Sequence, residues 1–236
     1  MVIECIGLPG SGKTYLMAHL EQEIRNRGVR CVNASDRSMN RLSWKAARKL
    51  LHAGIFLERN ARRMRARMEK ALQAEREAYS QYGIYEDEQY TLESAAVFRL
   101  VYRRMMRSDT VYLFDEGLVH AIVKFCADFA MGGETFGALI EAAESGLKGK
   151  RLVVYNAISE ENCFVSLRKR DRHICAFDEL PDDALHGILR EYARLNTIYA
   201  SGHTTVKVLR EEDIEVKTAR IMTAVTKIDW KKDRIR

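Results

Sequence analysis

Residues 7 to 14 read Gly7-Leu8-Pro9-Gly10-Ser11-Gly12-Lys13-Thr14, and this octet constrains the chain more than any other feature. It is a complete G-x-x-x-x-G-K-[ST] phosphate loop, the Walker A pattern. Its flanks suit it: Val2 to Ile6 is a short apolar run that reads as a strand, and Leu16, Leu20 and Ile24 follow at helical spacing. Glycines let a backbone curl around phosphate oxygens with its N–H groups turned inward. A helix beginning near Lys13 adds the positive end of its dipole. Gly7, Gly10, Ser11, Gly12, Lys13 and Thr14 are therefore expected to bind ATP together with Mg2+. Lys13 reaches the β- and γ-phosphates, and the Thr14 hydroxyl ligates the metal.

The rest of the chain continues the alternation. Arg25, Arg27 and Gly28 close the first helix, and Val29 to Asn33 reads as a second strand. Residues 39 to 107 look helical almost throughout, with Leu57, Ala61, Met64, Met68, Ala71, Ala78 and Tyr82 on one apolar face. An acidic connector, Tyr85 to Tyr90, separates a further helix over 91–107. Val111 to Phe114 is the third strand, and helices run on to Glu144 with a break at Gly132-Gly133. Arg151 to Ile158 is the fourth strand, with Ser159 as the cap of the next helix. Pro181 opens another helix from its first position, and Thr204 to Leu209 is the fifth strand. Five short apolar strands alternating with helices imply an α/β fold: a five-stranded parallel sheet covered on both faces. Ligands bind such sheets at the carboxyl ends of the strands.

Composition excludes several classes. Hydrophobic residues make up 47% and charged residues 31% of 236, a globular balance with only two prolines. No apolar run approaches the roughly 20 residues of a membrane span, and the N-terminus has no signal-peptide pattern. Five scattered cysteines (Cys5, Cys31, Cys126, Cys163, Cys175) form no C-x-x-C pair, which argues against a disulfide framework and a zinc site. A reducing cytoplasm is the expected location.

Two further stretches carry chemistry. Val111-Tyr112-Leu113-Phe114 delivers Asp115 and Glu116 to the carboxyl end of a strand. Phosphoryl transfer needs an anion near magnesium and a carboxylate to orient the attacking oxygen. Asp115 is the expected metal ligand, and Asp115 or Glu116 the base. His120, one turn on, reads as a helix-surface residue. Leu167-Arg168-Lys169-Arg170-Asp171-Arg172-His173 ends the helix after the fourth strand. Arg168, Arg170 and Arg172 suit the neutralisation of charge on a phosphoryl group in flight.

In this order, the loop, the strand ending in Asp115-Glu116-Gly117, the arginine cluster and the helix with Leu189-Arg190-Glu191-Tyr192-Ala193-Arg194-Leu195 resemble P-loop kinases of the thymidylate kinase and deoxynucleoside kinase type. The resemblance spans nearly the whole chain, although only the phosphate loop is highly specific. It implies one P-loop NTPase domain over 1–236, a helical substrate region at about 37–107 inserted between strands 2 and 3, and an arginine-bearing lid at about 168–178. By position, Asp115 falls on the acid that contacts acceptor and magnesium, and Arg168 and Arg170 on the lid arginines. The family usually has an arginine after that acid, whereas here Glu116-Gly117 follows.

The expected activity is ATP-dependent phosphotransfer to a small-molecule acceptor, a nucleoside, nucleotide or sugar-like metabolite. The alternative is a motor or switch ATPase: Phe114-Asp115-Glu116 resembles the acid pair of motor ATPases, and Gly10 to Tyr15 the loop of phage assembly ATPases. Residues 37–76 hold 12 Lys/Arg against 3 Asp/Glu, while the whole chain carries only +6. Within the helical region, Arg37, Arg41, Arg99 and Arg103 are expected to meet the acceptor, since planar guanidinium forks hold phosphate or carboxylate well. Arg59 to Arg67 are expected to face outward. No aromatic-interleaved basic surface points to nucleic acid, no membrane partner is expected, and a homodimer is compatible with the sequence.

Overall fold

The computed structural model describes residues 1–34, 58–74, 88–147, 149–169 and 176–228. Its centre is a parallel sheet of five strands in the order β2-β3-β1-β4-β5. These are β1 (Val2–Ile6), β2 (Cys31–Asn33), β3 (Val111–Phe114), β4 (Arg151–Ala157) and β5 (Thr205–Leu209). β1 pairs with β3 on one side, Ile3 opposite Leu113, and with β4 on the other, Ile3 opposite Leu152. The strand that leads into residues 7–14 is therefore the middle of the sheet.

Side chains alternate across a strand, and β1 shows what each face meets. Met1, Ile3 and Cys5 pack with Leu16, Met17, Leu20 and Ile24 of α1 (Lys13–Asn26) and Ile221, Met222 and Val225 of α9 (Ile214–Lys227). Val2 and Ile6 pack on the other face. That layer is built from α2 (Arg59–Ala74), α3 (Glu88–Met105), α4 (Leu118–Asp128), α5 (Gly133–Glu144), α6 (Glu160–Lys169), the single turn α7 (Ala176–Glu179) and α8 (Asp182–Gly202). Strands buried on both faces need apolar residues at nearly every position. This is why the three inner strands β1, β3 and β4 read as near-continuous apolar runs, whereas the edge strands β2 and β5 are partly exposed. Among the described residues no helix is long and apolar enough to cross a membrane.

Helix faces follow the heptad-like spacing. On α2, Ala61, Met64 and Met68 are buried, as their three- and four-residue intervals require, and the fourth buried position is Leu72 rather than Ala71. Arg59, Arg62, Arg63 and Arg67 point outward, while Arg65 is half-buried against Glu69. Leu57, Ala78 and Tyr82 of the expected stripe lie outside the described residues, as do Tyr85 to Asp87 of the connector and, of the region expected to be helical, residues 39–57 and 75–87; the connector's other half, Glu88 to Tyr90, belongs to α3.

Expected boundaries shift by a few residues, β5 beginning at Thr205 rather than Thr204 and α3 spanning Glu88–Met105 rather than 91–107, and three other shifts have a local reason. Val29 does not begin β2, because its N–H bonds back to the Ile24 carbonyl and finishes the end of α1 around Gly28. Pro181 is the cap of α8 rather than its first residue, with Leu185 N bonded to its carbonyl. Ile158 falls just beyond β4, and Ser159 caps α6 as expected, its Oγ accepting from Asn162 N at 3.2 Å.

The α2 stripe makes a stability prediction. Met64→Ala should cost about 2–5 kcal/mol, the range for emptying a buried methionine site. Arg63→Ala, one residue away and exposed, should stay within about 0.5 kcal/mol. Urea unfolding of both variants checks this, and equal losses would show the helix face is assigned wrongly.

Candidate active site

Residues 7–14 leave the carboxyl end of β1 and turn straight into α1. Gly7 has φ 146°, and a Cβ there would collide with the Asn156 carbonyl oxygen on β4, so both conformation and space demand glycine. The cap residue of α1, Gly12, carries no side-chain cap, which leaves the first-turn amides of that helix to a ligand. Lys13 is buried and folds across the loop, its Nζ donating to the Gly7 carbonyl at 3.2 Å and to the Leu8 carbonyl at 2.9 Å.

Three side chains from later in the chain brace the loop from outside. Asn156 Nδ2 donates to the Ser11 carbonyl at 2.8 Å, Cys163 Sγ to the Pro9 carbonyl at 2.7 Å, and Arg210 to the Gly10 carbonyl at 3.4 Å. Arg210 also donates to Ser166 Oγ at 2.7 Å. The Ser11 Oγ and Asn156 Oδ1 atoms are buried beside the loop without a hydrogen-bond partner. Buried polar atoms of this kind call for a ligand or ordered water.

The decisive contact joins two segments 101 residues apart. Thr14 Oγ1 donates to Asp115 Oδ2 at 2.6 Å. β3 lies next to β1, so the acids at its end emerge beside the first turn of α1. Asp115 is half-buried, whereas the Glu116 side chain is 68% exposed, so Glu116 is free to meet something outside. Both are oxygen donors of the kind Mg2+ prefers, and that ion commonly takes only one or two protein ligands beside phosphate oxygens and water. Thr14 and Asp115 fit that requirement. Among the described residues no cluster of three or more His, Cys, Asp or Glu is placed to hold a metal by itself.

His120 corrects an expectation. It is only 8% exposed, not a helix-surface residue. α4 has no polar face for it to occupy: almost every residue from Leu118 to Asp128 is buried among the sheet, α3, α5 and α8. Its Nε2 lies 3.9 Å from Glu116 Oε1. Burial, with Lys13 and Lys124 adding to it, lowers its pKa to about 3.

Beneath the acid turn lies a group that sequence reasoning passed over. Glu4, in the middle of β1, is 0% exposed. Its carboxylate accepts from Val119 N at 2.6 Å, His120 N at 3.1 Å, Tyr102 Oη at 3.0 Å and Arg151 at 3.3 Å. Burial pushes its pKa up, with Arg151 pulling it down. The signal was present, since a lone acid inside an apolar strand run requires a buried partner.

The expected arginines divide. Arg168 grips the start of α8, with Nε and Nη2 on Asp182 Oδ1 at 3.0 and 2.6 Å and further bonds to the Asp178 and Leu180 carbonyls. Arg170 and Arg172 lie outside the described residues, as do Arg37 and Arg41. Arg99 is not presented to an acceptor: it is 2% exposed and donates to the Ala143 and Ser145 carbonyls at the end of α5. Four residues after Ala95 and three before Tyr102, it lies in the buried register of α3. Arg103 remains half-exposed and pairs with Glu58 at 3.2 Å.

Solved structures share this arrangement of elements. Deoxyadenosine kinase from M. mycoides with bound dATP matches with a TM-score of 0.52 at 11% identity, over 96% of this chain and 100% of that one. The same enzyme with products dCMP and a flexible dCDP bound also gives 0.52 at 11%, over 97% and 100%. The chain thus shares its overall fold with these structures. No protein-family model matches it, and a comparison with curated proteins finds no match.

The buried imidazole makes a pH prediction. An unfolded histidine titrates near 6.5, so between pH 6.5 and about 3 the unfolded chain binds a proton that His120 in the fold does not. Stability is complete above pH 6.5 and falls as the pH drops, with a slope of up to about 1.4 kcal/mol per pH unit from this group. In His120→Gln that slope should be shallower between pH 6 and 4 by urea unfolding. Identical profiles would place the imidazole in contact with solvent.

Proposed function

We propose that this protein is an ATP-dependent phosphotransferase that moves the γ-phosphoryl group to a small-molecule hydroxyl or phosphate, with nucleosides as the leading acceptor class. The observation that carries the reading is the 2.6 Å bond between Thr14 and Asp115, which unites the phosphate loop and the acid turn in one site. The likeness of fold to deoxyadenosine kinase, whose structures hold dATP or dCMP, supports a nucleoside or nucleotide acceptor.

In this reading the amides of residues 7–14 and Lys13 hold the β- and γ-phosphates of ATP. Thr14 and Asp115 hold Mg2+, which when bound neutralises charge on the transferring group. Glu116, exposed beside Asp115, orients the acceptor oxygen and takes its proton. Arg168, with Arg170 and Arg172, supplies lid charge to the phosphoryl group, exchanging its Asp182 partner for the nucleotide. Arg37, Arg41 and Arg103 remain candidates for acceptor recognition.

Asp115→Asn should lower kcat by about 10²-fold or more and also weaken magnesium-dependent ATP binding, because the metal it holds acts on bound ATP as well as in the transition state. Lys13→Ala should abolish turnover. The measurement is ADP release with a panel of nucleosides, deoxynucleosides and nucleotides, with the phosphorylated product identified by mass. Wild-type hydrolysis that no acceptor stimulates, but that Glu116→Gln abolishes and self-association accelerates, would replace the kinase reading by the motor or switch ATPase.

A further inference from the structure

We infer that Glu4 and Tyr102 are positioning residues for Asp115, an inference that rests on the proposed site and adds to it two groups that touch neither nucleotide nor metal. Val2, Glu4 and Ile6 share one face of β1, and on that face Val2 and Ile6 pack in the apolar core. A leucine at residue 4 would suit that face better on burial alone. A buried ion pair is poor evidence for stability, since its desolvation offsets most of its attraction. What Glu4 gains instead is a fixed geometry.

Its two oxygens hold the first turn of α4. Oε1 accepts from Val119 N at 2.6 Å and His120 N at 3.1 Å. Tyr102 Oη accepts from Leu118 N at 3.2 Å and donates to Glu4 Oε2 at 3.0 Å. The first three amides of α4 are thus satisfied from below, and its positive end faces a carboxylate. The cap residue, Gly117, contributes no side chain, and a Cβ on it would run into Tyr102 Oη and Glu4. Arg151 bonds Glu4 Oε2 at 3.3 Å and Glu144 at 2.7 Å, which ties the pair to β4 and α5.

Only Asp115, Glu116 and Gly117 lie between the end of β3 and this fastened turn. β3 is set by its ladder to β1, with Phe114 opposite Glu4, and α4 is set by Glu4 itself. Three residues after Glu4 the same strand becomes the phosphate loop. One carboxylate on β1 therefore fixes the acid turn relative to the loop that the strand carries, and the Thr14–Asp115 distance is the result.

The test reads ATP affinity by calorimetry, with Mg2+ and again with EDTA, for wild type, Tyr102→Phe, Asp115→Asn and the double variant. Tyr102→Phe keeps the ring in the core and removes only the hydroxyl, and Glu4→Gln is measured alongside if it folds. Tyr102→Phe should reduce the magnesium-dependent gain in affinity about tenfold and leave affinity in EDTA within twofold of wild type. In the Asp115→Asn background the same change should do nothing further to that gain. A lowered melting temperature with the magnesium gain intact, or losses that multiply in the double variant, would make the pair merely structural and overturn the inference. If Asp115→Asn alone keeps the full gain, the proposed metal site fails, and the inference fails with it.

Discussion

β1 is hydrogen-bonded on both sides, and both the phosphate loop and the acid turn are placed through it. The ladder to β3 sets the acid turn beside the phosphate loop, while the ladder to β4 sets Asn156 against the loop's other flank. Parallel strands bring their carboxyl ends to the same edge, so residues far apart in sequence converge there. The Thr14–Asp115 contact follows from that geometry, and so does the collision that reserves residue 7 for glycine.

Charge is distributed around β1 with a consistent sign logic. The uncapped amino end of α1 and Lys13 present positive charge where phosphate oxygens would lie. The amino end of α4, only a few residues from the acids, is instead neutralised from inside by Glu4, so that it does not compete for the same anion. His120, in the first turn of α4, is kept neutral by burial. The amino ends of α1 and α4 thus have opposite assignments, one open to ligand and one closed by protein.

Much of this was legible in the sequence because it is local. The loop motif, the strand runs and the Ala61–Met64–Met68 stripe are each read within a dozen residues, and the fold followed from their alternation. Contacts set by tertiary packing were harder to read. Glu4 meets Tyr102 98 residues away and Arg151 147 away, and nothing in either neighbourhood names the other. Two misreadings were avoidable in principle. Leu118 to Asp128 has almost no polar face, so His120 had nowhere exposed to go, and Arg99 shares the spacing of Ala95 and Tyr102 on α3. Arg168 shows the opposite limit: its charge marks it for phosphate, but in the structure Asp182 is its partner.

The central claim is that the phosphate loop and the acid turn act as one site. A double-mutant cycle of Thr14→Ala and Asp115→Asn on magnesium-dependent ATP affinity tests it most directly, because coupling energy measures whether two residues act through the same partner. The account predicts that each single variant weakens binding and that the double variant is little weaker than the worse single, a coupling of about 1 kcal/mol or more. Losses that simply add would mean that Thr14 and Asp115 serve separate purposes, and would contradict it.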